Sequence, residues 1–171
     1  MTPVSPRPIA ADELAVIDAA YPEFESRHLH RFRHQQEGLG TYLIAWEGDV
    51  PVGWVYVRST RQASPRARGG AEVIDLQVAE RYRRRGHGRA LLDAAEQTAL
   101  ADGCTTIGLS VTVDNPHNDL ARAMYLRSGY AESGEGPYDD GYHYHDAEGV
   151  RRYHGEPHLY LVKRLRAGAE G

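Results

Sequence analysis

Apolar and polar positions recur with a changing period along this chain of 171 residues, and the changes of period mark the elements. The stretch PIAADELAVIDAAY reads as a strand end, then a helix from about Asp12 to Ala20. Asp12 is its expected N-cap, and Leu14, Ile17 and Asp18 follow at helical spacing. Pro22 suits the first turn of a second helix, which runs to about Glu37 and is ended by Gly38 and Gly40. TYLIAWEGDVPVGWVYVRST is a predicted hairpin, two β-branched and aromatic runs around Gly48-Asp49. After the polar loop RQASPRARGG, Val73, Ile74, Leu76 and Val78 mark a strand. A helix follows from about Gly88 to Asp102, with Leu91, Leu92, Ala95, Ala99 and Leu100 as its apolar stripe and Gly103 just past its end. TTIGLSVTV is again strand-like. NDLARAMYLRSGY is a short helix with Asn118 as candidate N-cap, Asp119 favourable to the dipole and Gly129 at its end. Its expected buried side is Leu120, Ala121, Met124 and Ser128, with Tyr125 at the edge. A strand, a hairpin turning at Ala147–Gly149 and a closing strand PHLYLVKRL complete the chain.

The order predicts one α/β domain over 1–171, with 1–6 and 166–171 frayed. The strand–helix–strand unit between 71 and 113 is a crossover, so it implies a parallel pair at the middle of a mostly antiparallel sheet.

Composition narrows the class. Hydrophobic residues make up 41% and charged residues 26%, as in a soluble globular protein. No run reaches the length of a membrane span, and the first residues lack the apolar core of a secretory signal. Cys104 is the one cysteine, which excludes an internal disulfide and a cysteine-based zinc cluster. A reducing cytoplasm is the expected compartment. The formal net charge of -4 argues against general nucleic-acid binding.

Against that acidity, Arg81, Arg83, Arg84, Arg85 and Arg89 crowd around two glycines in RRRGHGR. The bland account is a solvated loop. The glycines favour another. A helix N-terminus exposes unpaired N–H groups, and Gly86 and Gly88 let an anion approach the backbone there. Gly86 can also take positive φ, curling successive amides toward one point. That arrangement suits a pyrophosphate. The P-loop is excluded, because no Gly-Lys-Ser/Thr follows, and the Rossmann pattern fails at Leu91.

The segment Arg83-Arg84-Arg85-Gly86-His87-Gly88, followed by RALLDAAEQTA, resembles the [Q/R]-x-x-G-x-[G/A] signature of the GNAT superfamily of acyl-CoA-dependent N-acyltransferases. LQVAERY upstream is similar to that family's strand end, and NDLARAMYLRSGY downstream to its N-x-x-A-x-x-L-Y-x-x-x-G-F/Y segment. The resemblance implies a twisted mixed sheet, mostly antiparallel, with splayed central parallel strands flanked by helices. It implies acetyl-CoA as co-substrate, a primary amine of a small molecule or protein as acceptor, and no metal. The family pattern assigns the pyrophosphate to Arg83, Arg84, Arg85, Gly86, His87, Gly88 and Arg89. It assigns the pantetheine arm to Leu76, Gln77 and Val78, with the Val78 amide on the thioester carbonyl, and a CoA contact to Asn118. Tyr125 matches the tyrosine that protonates the departing thiolate. An acyl-CoA-binding module without turnover is the alternative, and a homodimer is compatible with the family.

An ammonium acceptor must first lose a proton, so a base is wanted. Glu72 and Asp75 are candidates, pointing to opposite faces unless a bulge intervenes. Glu80 is weaker. His87 reads as a solvent-facing loop residue. In the tail, His143 and His145 alternate and share one strand face, and His154 and His158 could lie across the turn, so a transition-metal site is conceivable, although a polar face is the simpler account. Tyr138, Asp139, Asp140, Tyr142 and Tyr144 could shape an amine site, with Glu23, Phe24, Glu25, His28 and Arg31 as an opposite wall.

Overall fold

The computed structural model describes residues 4–113 and 115–166, together with the backbone but not the side chains of Glu25 and His117. The outermost residues of both expected frayed ends lie outside the described residues. A mixed sheet, mostly antiparallel with one parallel pair, is flanked by helices. The described residues group into two compact units. One runs to Ile107 and resumes at Arg164, and the other is Gly108–Lys163.

In the first unit, β1 (Arg7–Pro8) precedes a 3-10 turn and α1 (Leu14–Ala20). The helix starts later than expected and Asp12 does not cap it. Instead the Ala10 amide donates to the Glu13 carboxylate at 2.8 Å, and Arg7 holds the same carboxylate. A turn at Pro22–Phe24 leads into α2 (Glu25–Gln36), and Gly38 past its end has φ 70°. β2 (Gly40–Glu47) and β3 (Val50–Arg58) form the predicted hairpin, and β4 is Ala71–Val78. The antiparallel order is β1-β2-β3-β4. α3 is His87–Ala101, closed by Gly103 at φ 81°.

Both faces of the β2–β3 hairpin are covered. Tyr42, Ile44, Trp54 and Tyr56 point to one face and join Ile9, Ile17 and Tyr21 from the α1 side in a buried cluster. α3 packs on β2, β3 and β4. Its Leu91, Leu92, Ala95 and Ala99 are fully buried. A strand covered twice reads as a continuous apolar run, which is how β3 is written.

The second unit contains most of β5 (Thr106–Thr112), then α4 (Asp119–Arg127), β6 (Ala131–Glu132) and β7 (Tyr138–Asp139). β8 (Tyr142–His145) and β9 (Arg151–His154) form an exposed two-stranded hairpin. β10 (Pro157–Arg164) pairs antiparallel with β6 and β7.

Among the buried polar groups of the first unit, His28 carries a large shift in its titration. His28 is 0% exposed, with Nδ1 2.6 Å from the Tyr42 hydroxyl. Burial first, and Arg27 second, depress its pKa from 6.5 to about 4. The unfolded chain takes this proton near pH 6.5, and the fold resists it until about 4. The stabilising difference is therefore complete above pH 6.5 and lost as pH falls through 4, amounting to about 3 kcal/mol. Thermal melts between pH 7 and 4 should show a steeper loss of Tm for the wild type than for His28→Gln, which cannot take the proton.

Candidate active site

β4 is not a regular strand. Against β3, Tyr56 pairs with Ile74 and Trp54 with Gln77, so Val55 alone faces Asp75 and Leu76. This β-bulge puts Asp75 at φ 53°, a left-handed conformation that aspartate tolerates better than most residues. The extra residue resets the alternation. Gln77 shares the face of Ile74 and Glu72, and Val78 takes the opposite one. Beyond the bulge, Ala79 donates to the Val52 carbonyl at 3.0 Å. By alternation, the Val78 amide points away from β3.

The two sequence-named carboxylates on β4 have different surroundings. Glu72 is 4% exposed. Its Oε2 accepts from Arg58 at 3.0 Å and from the Ser64 amide at 3.1 Å, and its Oε1 accepts from the Ser64 hydroxyl at 2.8 Å. Asp75 is more open. It pairs with Arg31 of α2 at 2.7 Å, and Arg27 lies 3.9 Å from its other oxygen. Arg31 also sits over the Tyr56 ring at 4.8 Å. Glu80 is exposed in a 3-10 turn after the strand.

The chain then makes the turn that the glycines foretold. Arg83 Nε donates to the Val78 carbonyl at 3.0 Å and bolts the turn to the end of β4. Arg84 has φ 62° and Gly86 φ 85°. The first α3 bond runs from the Ala90 amide to the Gly86 carbonyl at 3.0 Å, and no described backbone carbonyl accepts from the amides of Arg84 through Gly88. Alternating left-handed residues with idle amides at a helix N-terminus have the chemistry to receive an anion. A Cβ on Gly86 would meet nothing within 4 Å, so glycine is needed there for its conformation, with open space beside it.

His87 is not the solvent-facing residue expected. It opens α3 with 3% exposure, and its Nε2 donates to Glu47 Oε1 at 2.8 Å. Arg85 approaches Glu47 at 3.8 Å, and Arg89 pairs with Asp93 one turn on at 2.8 Å.

In the second unit, Asn118 takes the N-cap position of α4, without a side-chain capping bond. Tyr125 is not at the edge of that helix. It is 8% exposed and Ser128 6%, whereas Leu120, expected inside, is 73% exposed. The Tyr125 ring lies edge-on to Tyr130, 6.0 Å between centroids. Burial pushes the phenol up to about 12.

The acetyltransferase (GNAT) family model matches residues 11–130. The chain belongs to that family. Among solved structures, this GNAT protein is similar to yncA from Salmonella typhimurium, a putative acetyltransferase with its cofactor acetyl-CoA. The identity is 15%, 99% of this chain and 98% of that one are covered, and the TM-score is 0.69. It is also similar to the ribosomal-protein-alanine N-acetyltransferase of Brucella melitensis, at 19% identity, 94% and 99% coverage and TM-score 0.68. The PaiA N-acetyltransferase of Thermoplasma acidophilum, in complex with coenzyme A, matches at 14% identity, 96% and 100% coverage and TM-score 0.64. No curated protein matches the chain by sequence.

This GNAT chain has two other features of note. A concavity of about 440 Å³ is lined by Pro8, Gln35, Gly38, Gly40, Thr41, Ser59 and Asp102, at the end of β2 opposite Glu47. In the tail, Tyr153 donates to Asp139 at 2.7 Å, Tyr138 lies 2.6 Å from the Ser110 hydroxyl, and Tyr142, Tyr144 and Tyr153 are exposed. Among the described residues, no group of three or more His, Cys, Asp or Glu side chains could hold a metal ion. No described helix is long and apolar enough to cross a membrane.

Glu72 ties β4 to Arg58 and to the loop at Ser64, so its loss should appear first in stability. Glu72→Gln leaves buried donors poorly matched and should cost about 2 kcal/mol in urea unfolding. Its kcat, measured on folded protein, should stay within about threefold of wild type, which is roughly 0.65 kcal/mol of barrier.

Proposed function

We propose that this protein moves an acetyl group from acetyl-CoA to a primary amine of a small molecule or protein by direct attack. The observation that carries the cofactor half is the run of amides from Arg84 to Gly88, idle within the backbone and bent by positive φ at two of its residues. A pyrophosphate supplies the acceptor oxygens that such a run lacks. The coenzyme-bound neighbours, yncA and PaiA, support the same ligand.

On this reading the turn from Arg83 to Arg89 holds the diphosphate, chiefly through its backbone, and Asn118 makes a further CoA contact. Leu76, Gln77 and Val78 receive the pantetheine arm as an added strand would. Acetyl-CoA supplies an activated thioester. The Val78 amide polarises its carbonyl and meets the negative charge that builds on oxygen as the amine attacks. Tyr125 serves the sulfur as its bond to carbon breaks. A phenol near 12 keeps its proton at every working pH. Full transfer to a thiolate of pKa near 8.5 is uphill, so its contribution is a hydrogen bond that strengthens as charge reaches sulfur.

The acceptor's proton needs another destination. With Glu72 buried and tied to Arg58 and Ser64, we assign this role to the more open Asp75, acting through water. Its place on the bulge beside α2 supports the choice.

Two variants test the chemistry. Tyr125→Phe should lower kcat about 100-fold with little change in KM for acetyl-CoA. An unchanged kcat would remove Tyr125 from the mechanism. Asp75→Asn should depress kcat/KM for the amine at pH 7 and recover as pH approaches the amine's own pKa near 10, where deprotonation no longer needs help. A deficit independent of pH would give Asp75 a structural role instead.

A further inference from the structure

We propose that Glu47 and His87 are a positioning pair that holds the anion turn in its binding shape and so sets the affinity for acetyl-CoA. The inference rests on the cofactor reading above and adds two side chains to it. Glu47 is the last residue of β2, just before the Gly48-Asp49 turn. One carboxylate oxygen accepts from His87 Nε2 at 2.8 Å, and the other faces Arg85 Nη1 at 3.8 Å. His87 and Arg85 are the two neighbours of Gly86, the residue whose φ of 85° bends the turn. A single carboxylate on the rigid hairpin therefore restrains the chain on both sides of its most pliable residue.

Burial makes the contact consequential. The His87 side chain is 3% exposed and the Glu47 side chain 33%. A buried imidazole that loses its acceptor is left unsatisfied or must leave its place, taking the first residue of α3 with it. The amides of His87 and Gly88 point where they do because that residue is fixed. Arg83 secures the other end of the turn through the Val78 carbonyl, so the receptor is held at both ends by protein before any ligand arrives. Preorganisation of this kind appears as affinity, since the ligand no longer has to order the loop. Neither side chain needs to touch the ligand for this effect.

The test compares Glu47→Ala, His87→Leu and Glu47→Gln with wild type. Acetyl-CoA affinity is read by calorimetry and by KM, and folding by thermal melts. Glu47→Ala removes both contacts. His87→Leu fills the buried space but cannot donate. Glu47→Gln keeps an acceptor for His87 and serves as the rescue. The expected result is a rise of about tenfold in Kd and KM for acetyl-CoA in the first two variants, from the loss of a charge-assisted bond, with the acceptor KM held. Glu47→Gln should recover most of the loss. Wild-type acetyl-CoA affinity in folded Glu47→Ala and His87→Leu would overturn the positioning role and leave the cofactor reading intact. Equal losses in Glu47→Gln and Glu47→Ala would also overturn it, by making charge rather than the bond to His87 the cause. Failure of the wild type to bind acetyl-CoA would overturn both readings.

Discussion

Backbone amides that find no carbonyl in their own chain turn to water or to a ligand, and a chain that keeps several in a row must hold them there against relaxation into a helix or a strand. The segment from Arg84 to Gly88 is such a chain, and its surroundings are arranged around that constraint. Left-handed φ at Arg84 and Gly86 keeps the amides from closing onto nearby carbonyls. Arg83 fastens the turn to the last residue of β4, and Glu47 fastens the start of α3 to the hairpin. Leu91, Leu92, Ala95 and Ala99 then fix the helix axis by burying its stripe against the strands. Removing any one of these leaves the others holding a segment with no internal reason to stay open.

The bulge at Asp75 makes the strand before the turn serve two purposes. An unbroken alternation would put Glu72, Ile74, Leu76 and Val78 on one face. The inserted residue carries Val78 to the other face, while Asp75 is turned toward Arg31 and Arg27 on α2. The first half of β4 can thus be built as core, with Glu72 closing a buried network to Arg58 and Ser64, and the second half as a half-buried edge. A β-branched residue at φ 53° would be strained, and aspartate accepts it at lower cost.

Most of this architecture was legible in the sequence because its signals are local. The Gly48-Asp49 turn, the apolar stripe of α3, Gly103 and Gly129 past their helices and the tail hairpin each depend on residues within a few positions of one another. The contacts that escaped are those between residues distant in sequence. His87 looks like a polar loop residue until Glu47, forty positions earlier, is brought beside it. Glu72 looks like a free base until Ser64 and Arg58 close on it. On α4, Ser128 lies inside as its spacing predicts, but apolar Leu120 is exposed and Tyr125, expected at the edge, takes an inner position. The bulge was a stated condition rather than a reading, since nothing in AEVIDLQV itself tells which residue is doubled.

Arginines surround the turn. Their density around the glycines suggests that charge does the recognising, but most of that charge is already committed within the protein. Arg83 is held by the Val78 carbonyl, Arg85 by Glu47 and the Arg81 carbonyl, and Arg89 by Asp93, while Arg81 lies over the Tyr82 ring at 4.9 Å. Side chains so engaged shape the turn, and on the proposed reading they leave the peptide nitrogens to meet the diphosphate. Backbone donors read only the geometry of a diphosphate, so a site built from them is indifferent to whatever else the protein binds. On the proposed reading, discrimination among acceptors comes from elsewhere, and the first unit offers such variety around α2 and the bulge, where Arg27, Arg31 and Asp75 bring charge beside the aromatic faces of Phe24 and Tyr56.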